Sequence, residues 1–155
     1  MATRTIHEGE LGKADVRALL DQHFAEMRAD TPHDACHVMT ADALDDPAIT
    51  FLTLRDADGT LAAVGALRTL DPSHGEIKSM RAADAARGTG AGKAMLEALV
   101  AEAIAKGMKR VSMETGNSPL FAAANALYES AGFERCGPFG SYKTTPFTHF
   151  FTRQL

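Results

Sequence analysis

Arg87-Gly88-Thr89-Gly90-Ala91-Gly92-Lys93 closes an apolar, strand-like run and opens a strongly amphipathic helix, and the reading of its glycines decides the fold. Glycines at alternate positions let backbone N–H groups crowd round an anion at a helix N-terminus, where the macrodipole also favours negative charge. The stretch is therefore expected to hold a phosphate. Its spacing excludes two common phosphate loops. A Walker A loop aligned on Gly92-Lys93 puts Arg87 where the first glycine belongs and Ala94 where the magnesium-binding hydroxyl belongs. A dinucleotide fingerprint begun at Gly88 and Gly90 finds Lys93 in place of its third glycine, and the loop comes late in the chain rather than after a first strand.

Immediately upstream, Glu76-Ile77-Lys78-Ser79-Met80-Arg81-Ala82 alternates polar and apolar residues as a strand does. Downstream, a helix from Gly90 to Lys106 carries Met95, Leu96, Leu99, Val100, Ala103 and Ile104 on one face, with Gly107 placed as a C-terminal glycine cap. Asp15 to Arg28 shows the same helical spacing through Val16, Leu19, Leu20, His23, Phe24 and Met27. Ile49–Arg55 and Leu61–Thr69 flank Asp56-Ala57-Asp58-Gly59 and predict a β-hairpin; Asp71 to Gly75 predicts a further turn. Arg110–Glu114 predicts a strand, Pro119–Ser130 a helix, and Phe133–Cys136 and Thr148–Gln154 two closing strands. Ala29–Pro47 reads as a loop with a short helix around Thr40–Leu44. The element order predicts a mixed α/β fold, expected as one domain over residues 1–155.

Hydrophobic residues at 45% and charged residues at 23% place the chain among folded proteins rather than disordered ones. A formal net charge of -4, with basic residues scattered, gives no electrostatic footprint for nucleic acid. No apolar run approaches membrane-spanning length, and the opening residues lack the apolar core of a signal peptide. Cys36 and Cys136 stand far apart and outside any CxxC pair, so a reduced, cytoplasmic protein is expected, with each cysteine a small apolar residue.

Arg87, Gly90 and Gly92 do fit an Arg/Gln-x-x-Gly-x-Gly/Ala loop. Together with the strand before it and the block Ala124-Asn125-Ala126-Leu127-Tyr128-Glu129-Ser130-Ala131-Gly132-Phe133, which looks like A-x-x-L-Y-E-x-x-G-F, the chain resembles the GCN5-related N-acetyltransferase (GNAT) family from Ile49 to its end. The resemblance implies a mixed, mostly antiparallel central sheet flanked by helices, and acetyl-CoA as cosubstrate. The pyrophosphate of the coenzyme would lie on N–H groups of Gly88, Thr89, Gly90, Ala91, Gly92 and Lys93, with Arg87 and Lys93 adding local positive charge. The pantetheine arm would pair like an added strand with backbone groups of Met80, Arg81 and Ala82 that a bulge leaves free; Ala82 stands where valine is common.

Amide formation from a thioester needs a neutral amine, a stabilised oxyanion and a proton for the departing thiolate. The resemblance gives the last role to Tyr128, whose phenol is protonated at neutral pH; the alternative is a tyrosine packed on an apolar helix face. Asn125, three residues earlier, is a candidate coenzyme contact or a helix-surface residue. Many relatives have an asparagine seven residues before the tyrosine, where this chain has Phe121. The base that receives the ammonium proton is Glu76 by first choice and Glu114 by second, either of which could equally be structural. His33, His37, His74 and His149 titrate in a useful range. No metal is assigned, and His37 is a candidate lining residue of the acceptor pocket. That pocket is expected from Ala29–Pro47 and Gly137–Thr148. The whole implies an N-acetyltransferase acting on a small amine or amino-acid-like molecule. The alternatives are a non-catalytic acyl-CoA-binding module and an enzyme acting on a protein lysine or N-terminus. Homodimers are frequent in the family.

Overall fold

The hairpin expected around Asp56–Gly59 forms the second and third strands of a seven-stranded sheet. In the computed structural model, which describes residues 3–155 and leaves out Met1, Ala2 and the side chain of His33, the strands are β1 (Thr5–Glu8), β2 (Ile49–Arg55), β3 (Leu61–Asp71), β4 (His74–Ala82), β5 (Arg110–Gly116), β6 (Glu134–Cys136) and β7 (Thr148–Gln154). Their order across the sheet is β1-β2-β3-β4-β5-β7-β6. Only β4 and β5 run parallel, so the sheet is mixed and mostly antiparallel as expected. Three helices accompany it: α1 (Ala14–Asp30), α2 (Ala91–Ala105) and α3 (Ala122–Ser130).

Two apolar clusters flank the sheet. Met95, Leu96 and Leu99 of α2 pack with Leu52, Ala63, Leu67, Ile77, Val111 and Met113. Val16, Leu19 and Leu20 of α1 pack with Phe51, Val64, Ala66 and Leu44. The central strand β3 therefore reads as a continuous apolar run rather than an alternating one, because both its faces are covered. A Cβ at Gly65 would stand 2.8 Å from Leu99 Cδ1, which is how closely α2 lies on β3. The helix ends as its glycine predicts: Met108 N–H reaches Ala103 O and Gly107 N–H reaches Ile104 O, a Schellman closure with Met108 and Ala103 both buried.

Four expectations are corrected. β1 was not expected: its four residues are all exposed, and it exists by pairing with β2. The short helix around Thr40–Leu44 is a single turn, closed by Leu44 N–H to Thr40 O, and a short 3-10 turn stands instead at His33–Ala35. The turn over Asp71–Gly75 narrows to Pro72-Ser73, since His74 and Gly75 already pair with Arg110 and Val111. Ile104 lies off the apolar face of α2, 57% exposed, because the helix presents Ala103 to the sheet at that level.

Arg55 joins the start of α1 to the hairpin. Its guanidinium donates to Glu10 Oε1 (2.9 Å) and to both oxygens of Asp15 (2.6 and 3.0 Å), while Thr53 Oγ1 donates to Glu10 Oε1 (2.6 Å). Burial alone would raise the Glu10 carboxyl, but hydrogen bonds from Thr53, Arg55 and Lys13 outweigh it and bring the value down to about 2. Arg55→Met leaves two carboxylates without their cation and is expected to cost about 3 kcal/mol in urea unfolding. Because the folded Glu10 value lies below its ordinary 4.5, its contribution is complete above that pH and fades as pH falls towards about 2; stability measured over that window should decline, and less steeply in Arg55→Met.

Candidate functional site

Pairing between β4 and β5 covers only three positions, His74–Arg110, Gly75–Val111 and Glu76–Ser112. Beyond them the strands diverge, and a cavity of about 520 Å3 opens, lined by the later residues of both strands. On its other edge β4 bulges: Ala66 pairs with Lys78 and Val64 with Arg81, so Ser79 and Met80 together face Gly65. Ser79 takes up the distortion at φ 53, the only non-glycine among the described residues with positive φ. Ser79, Met80, Arg81 and Ala82 all line the cavity. Of the stretch Met80–Ala82 expected to be freed by a bulge, only Met80 lies in it; Arg81 and Ala82 are in register with Val64 and Ala63, and the other bulged residue, Ser79, was not singled out in the sequence.

The glycine loop closes one end of this cavity. Gly90 is the N-cap of α2 at φ 87 and Gly88 sits at φ 74, conformations open to glycine and costly for other residues. The first turn of α2, Ala91, Gly92 and Lys93, leaves its N–H groups without intrahelical partners. Arg87, Gly88, Gly90, Ala91, Gly92 and Lys93 line the cavity, with the Lys93 and Arg87 side chains exposed. Thr89 is tied down from outside: Arg4 Nη2 donates to its Oγ1 (2.7 Å) and Arg4 Nε to Asp56 (2.7 Å), while Thr89 Oγ1 donates to Ala86 O. The Arg81 side chain turns from the loop to pair with Glu26 and Asp84.

Tyr128 reaches the cavity from α3 and is 7% exposed, its ring against Phe133 and Phe151. Burial pushes its phenol up to about 12. Asn125, one turn earlier, spends its amide on β5: Thr115 Oγ1 donates to its Oδ1 (2.8 Å) and its Nδ2 donates to Gly116 O (3.0 Å). Phe121 covers the same strand end, where a Cβ on Gly116 would stand 2.1 Å from its ring.

At the far end the structure brings together residues from four segments. Glu76 is 1% exposed, and its Oε2 accepts from Tyr142 OH (2.5 Å) and Lys78 Nζ (3.3 Å). Lys78 also donates to Tyr142 OH (2.7 Å). Glu114 Oε1 is 2.7 Å from His37 Nδ1, whereas Glu114 Oε2 is buried without a hydrogen-bond partner. Burial raises the Glu114 carboxyl above its ordinary range, the His37 contact opposing it. The His37 ring rests against Tyr142 at 5.0 Å between centroids. Of the two irregular segments, 29–47 lines the cavity at Thr31, Ala35, Cys36, His37 and Val38, whereas 137–148 lines it only at Thr148 and otherwise reaches the cluster through Tyr142, outside the lining. Lys78 was legible as the residue two beyond Glu76, on the same strand face; nothing in the sequence marked Tyr142. His74 borders this cluster, on Ser112 and against Phe139, whose ring meets Tyr142, while His149 is placed on Arg135. His33 and His37 stand four apart, but the 3-10 turn that begins at His33 ends at Ala35, and the described residues contain no group of three or more side chains able to hold a metal.

The comparisons agree with one another. The acetyltransferase (GNAT) family profile matches residues 14–133. The uncharacterized N-acetyltransferase YsnE of Bacillus subtilis is 38% identical over 146 residues, 94% of this chain and 96% of that protein. A solved chain from Klebsiella pneumoniae superposes with a TM-score of 0.81 at 25% identity, covering 99% of this chain and 98% of that one. A GNAT acetyltransferase from Elizabethkingia anophelis, solved with acetyl-CoA bound, gives a TM-score of 0.65 at 16% identity and covers 98% of each chain.

Asn125→Ala is expected to lower stability by about 1–2 kcal/mol, the loss of two part-buried hydrogen bonds. Urea unfolding beside a KM for acetyl-CoA checks it: a KM rise without destabilisation would make Asn125 a coenzyme ligand instead.

Proposed function

This chain belongs to the acetyltransferase (GNAT) family, and from that premise we propose that it moves the acetyl group of acetyl-CoA to the primary amine of a small-molecule or amino-acid-like acceptor by direct attack in a ternary complex. One observation carries the reading: a single cavity runs from the glycine loop past the Ser79 bulge and Tyr128 to two carboxylates. The pyrophosphate would rest on the N–H groups from Gly88 to Lys93, and the pantetheine arm would pair along Met80–Ala82. A reduced cytoplasmic setting and a homodimer accompany this reading as proposals.

In the reaction the acceptor ammonium gives up one proton, the neutral nitrogen attacks the thioester carbon, and the C–S bond breaks as the nitrogen sheds a second proton and the amide forms, one proton ending on the thiolate and one in solvent. Glu76 and Glu114 both border the acceptor end, but their oxygens are used differently. Glu76 fixes Tyr142 and Lys78, whereas Glu114 keeps an unpartnered oxygen and a raised pKa, which supports Glu114 as the proton acceptor. Tyr128 serves the leaving thiolate. Burial raises the Tyr128 phenol to about 12, so it stays protonated and is a hydrogen-bond and proton donor for the leaving thiolate.

Calorimetry with acetyl-CoA and thiol release across an amine panel test the reading; no saturable coenzyme binding sinks it, and binding without transfer to any acceptor leaves a coenzyme-sensing module. Tyr128→Phe should lower kcat by about 10²-fold while sparing the KM for acetyl-CoA. For the wild type, kcat/KM should rise with pH through the raised Glu114 value, because the protonated carboxyl cannot accept the ammonium proton; Glu114→Gln should lower the rate and lose that acidic limb.

A further inference from the structure

The acceptor end of the cavity carries charges whose partners are unevenly assigned. Four cationic side chains line the cavity: Lys78, Arg81, Arg87 and Lys93. Arg87 and Lys93 belong to the glycine-loop end, and Arg81 pairs with Glu26 and Asp84. Arg68 stands opposite Glu76 in the β3–β4 ladder but is exposed and outside the lining. That leaves Lys78, whose side chain is 9% exposed and whose Nζ already serves Glu76 and Tyr142. Two carboxylates thus share one engaged lysine, and the imidazole of His37 is already committed to Glu114 Oε1.

Glu114 is the exception to this closure. Its side chain is 10% exposed and lines the cavity; Oε1 meets His37, while Oε2 is one of two buried side-chain polar atoms without a partner among the described residues. The other is His23 Nδ1, on a ring that burial holds neutral with a pKa of about 4. A buried carboxylate oxygen without a partner is unfavourable, and an ammonium relieves it by charge and hydrogen bond together. A carboxylate arriving on the same carbon as that ammonium would instead meet Glu76 and Glu114 with no cation to spare, and like charges at that range repel in a poorly solvated site. Val38 and Leu120 offer apolar wall to the rest of such a molecule.

Resting on the acetyltransferase reading above, we propose that Glu114 Oε2 recognises the acceptor ammonium and that the acceptor is a monocationic primary amine with no carboxylate beside its amino group. Acceptor choice then follows from the absence of a spare cation as much as from the presence of the anion. The acceptor class narrows to plain amines, with free α-amino acids disfavoured.

Two matched pairs test it: 2-phenylethylamine against phenylalanine, and 1-aminopentane against norleucine. Each is titrated calorimetrically into the coenzyme A-loaded protein and assayed by thiol release with acetyl-CoA. In at least one pair the amine should bind and turn over at least tenfold better than its amino acid. Glu114→Gln should raise that amine's Kd at least tenfold while acetyl-CoA affinity and Tm stay unchanged. Amino acids bound as well as or better than the amines, no binding of either amine, or an amine Kd unmoved by Glu114→Gln would each overturn the proposal. Failure of acetyl-CoA itself to bind would instead remove the reading beneath it.

Discussion

Beyond Glu76 and Ser112 the ladder between β4 and β5 stops, and two strands in the middle of a seven-stranded sheet lose each other as hydrogen-bond partners. Interior strands rarely do this, because unpaired backbone polar groups removed from water are costly. The sheet survives because each strand is held from its outer side, β4 by β3 and β5 by β7, the latter over seven residue pairs. The bulge at Ser79 belongs to the same arrangement. By letting two residues of β4 face one of β3, it turns the strand and presents backbone groups where a strand-like ligand would add.

Around that gap the two sides of the sheet have different tasks. On one side α2 is pressed onto β3 at Gly65 and sealed at its end by Met108, which fixes the helix start that forms the glycine loop. On the other, the alternation of β4 and β5 projects Glu76, Lys78, Ser112 and Glu114 to a common face, where segments without regular structure bring His37 and Tyr142 against them. Rigid elements thus hold the glycine-loop end of the cavity, and loops complete the end that carries the two carboxylates.

What the sequence made legible follows the same division. The hairpin, α2 and β7 were read nearly to the residue, the hairpin from two β-rich runs flanking Asp56–Gly59 and α2 from its helical apolar spacing, and the glycine loop was readable because Gly88 and Gly90 meet a backbone requirement that other residues meet poorly. β1 carries no such signal, since an exposed edge strand is defined by its partner. Thr40 imitates a helix start, its Oγ1 accepting from Ala43 N–H, but the chain is drawn off after one turn to bury Leu44 and enter Pro47. The contacts of His37 with Glu114 and of Tyr142 with Glu76 span 77 and 66 residues, and no local pattern encodes distances of that kind.

Arg4 reaches from just before the edge strand to Thr89, clamping the glycine loop to Asp56 of the hairpin before any ligand arrives. A loop bridged in this way has already given up the conformational freedom that a flexible phosphate loop surrenders on association. The Thr89 hydroxyl is likewise committed, accepting from Arg4 and donating to Ala86 O, so an incoming anion finds backbone donors whose directions are already set. An anion bound at this end would dock to a formed surface, with the ordering cost of the loop already met during folding.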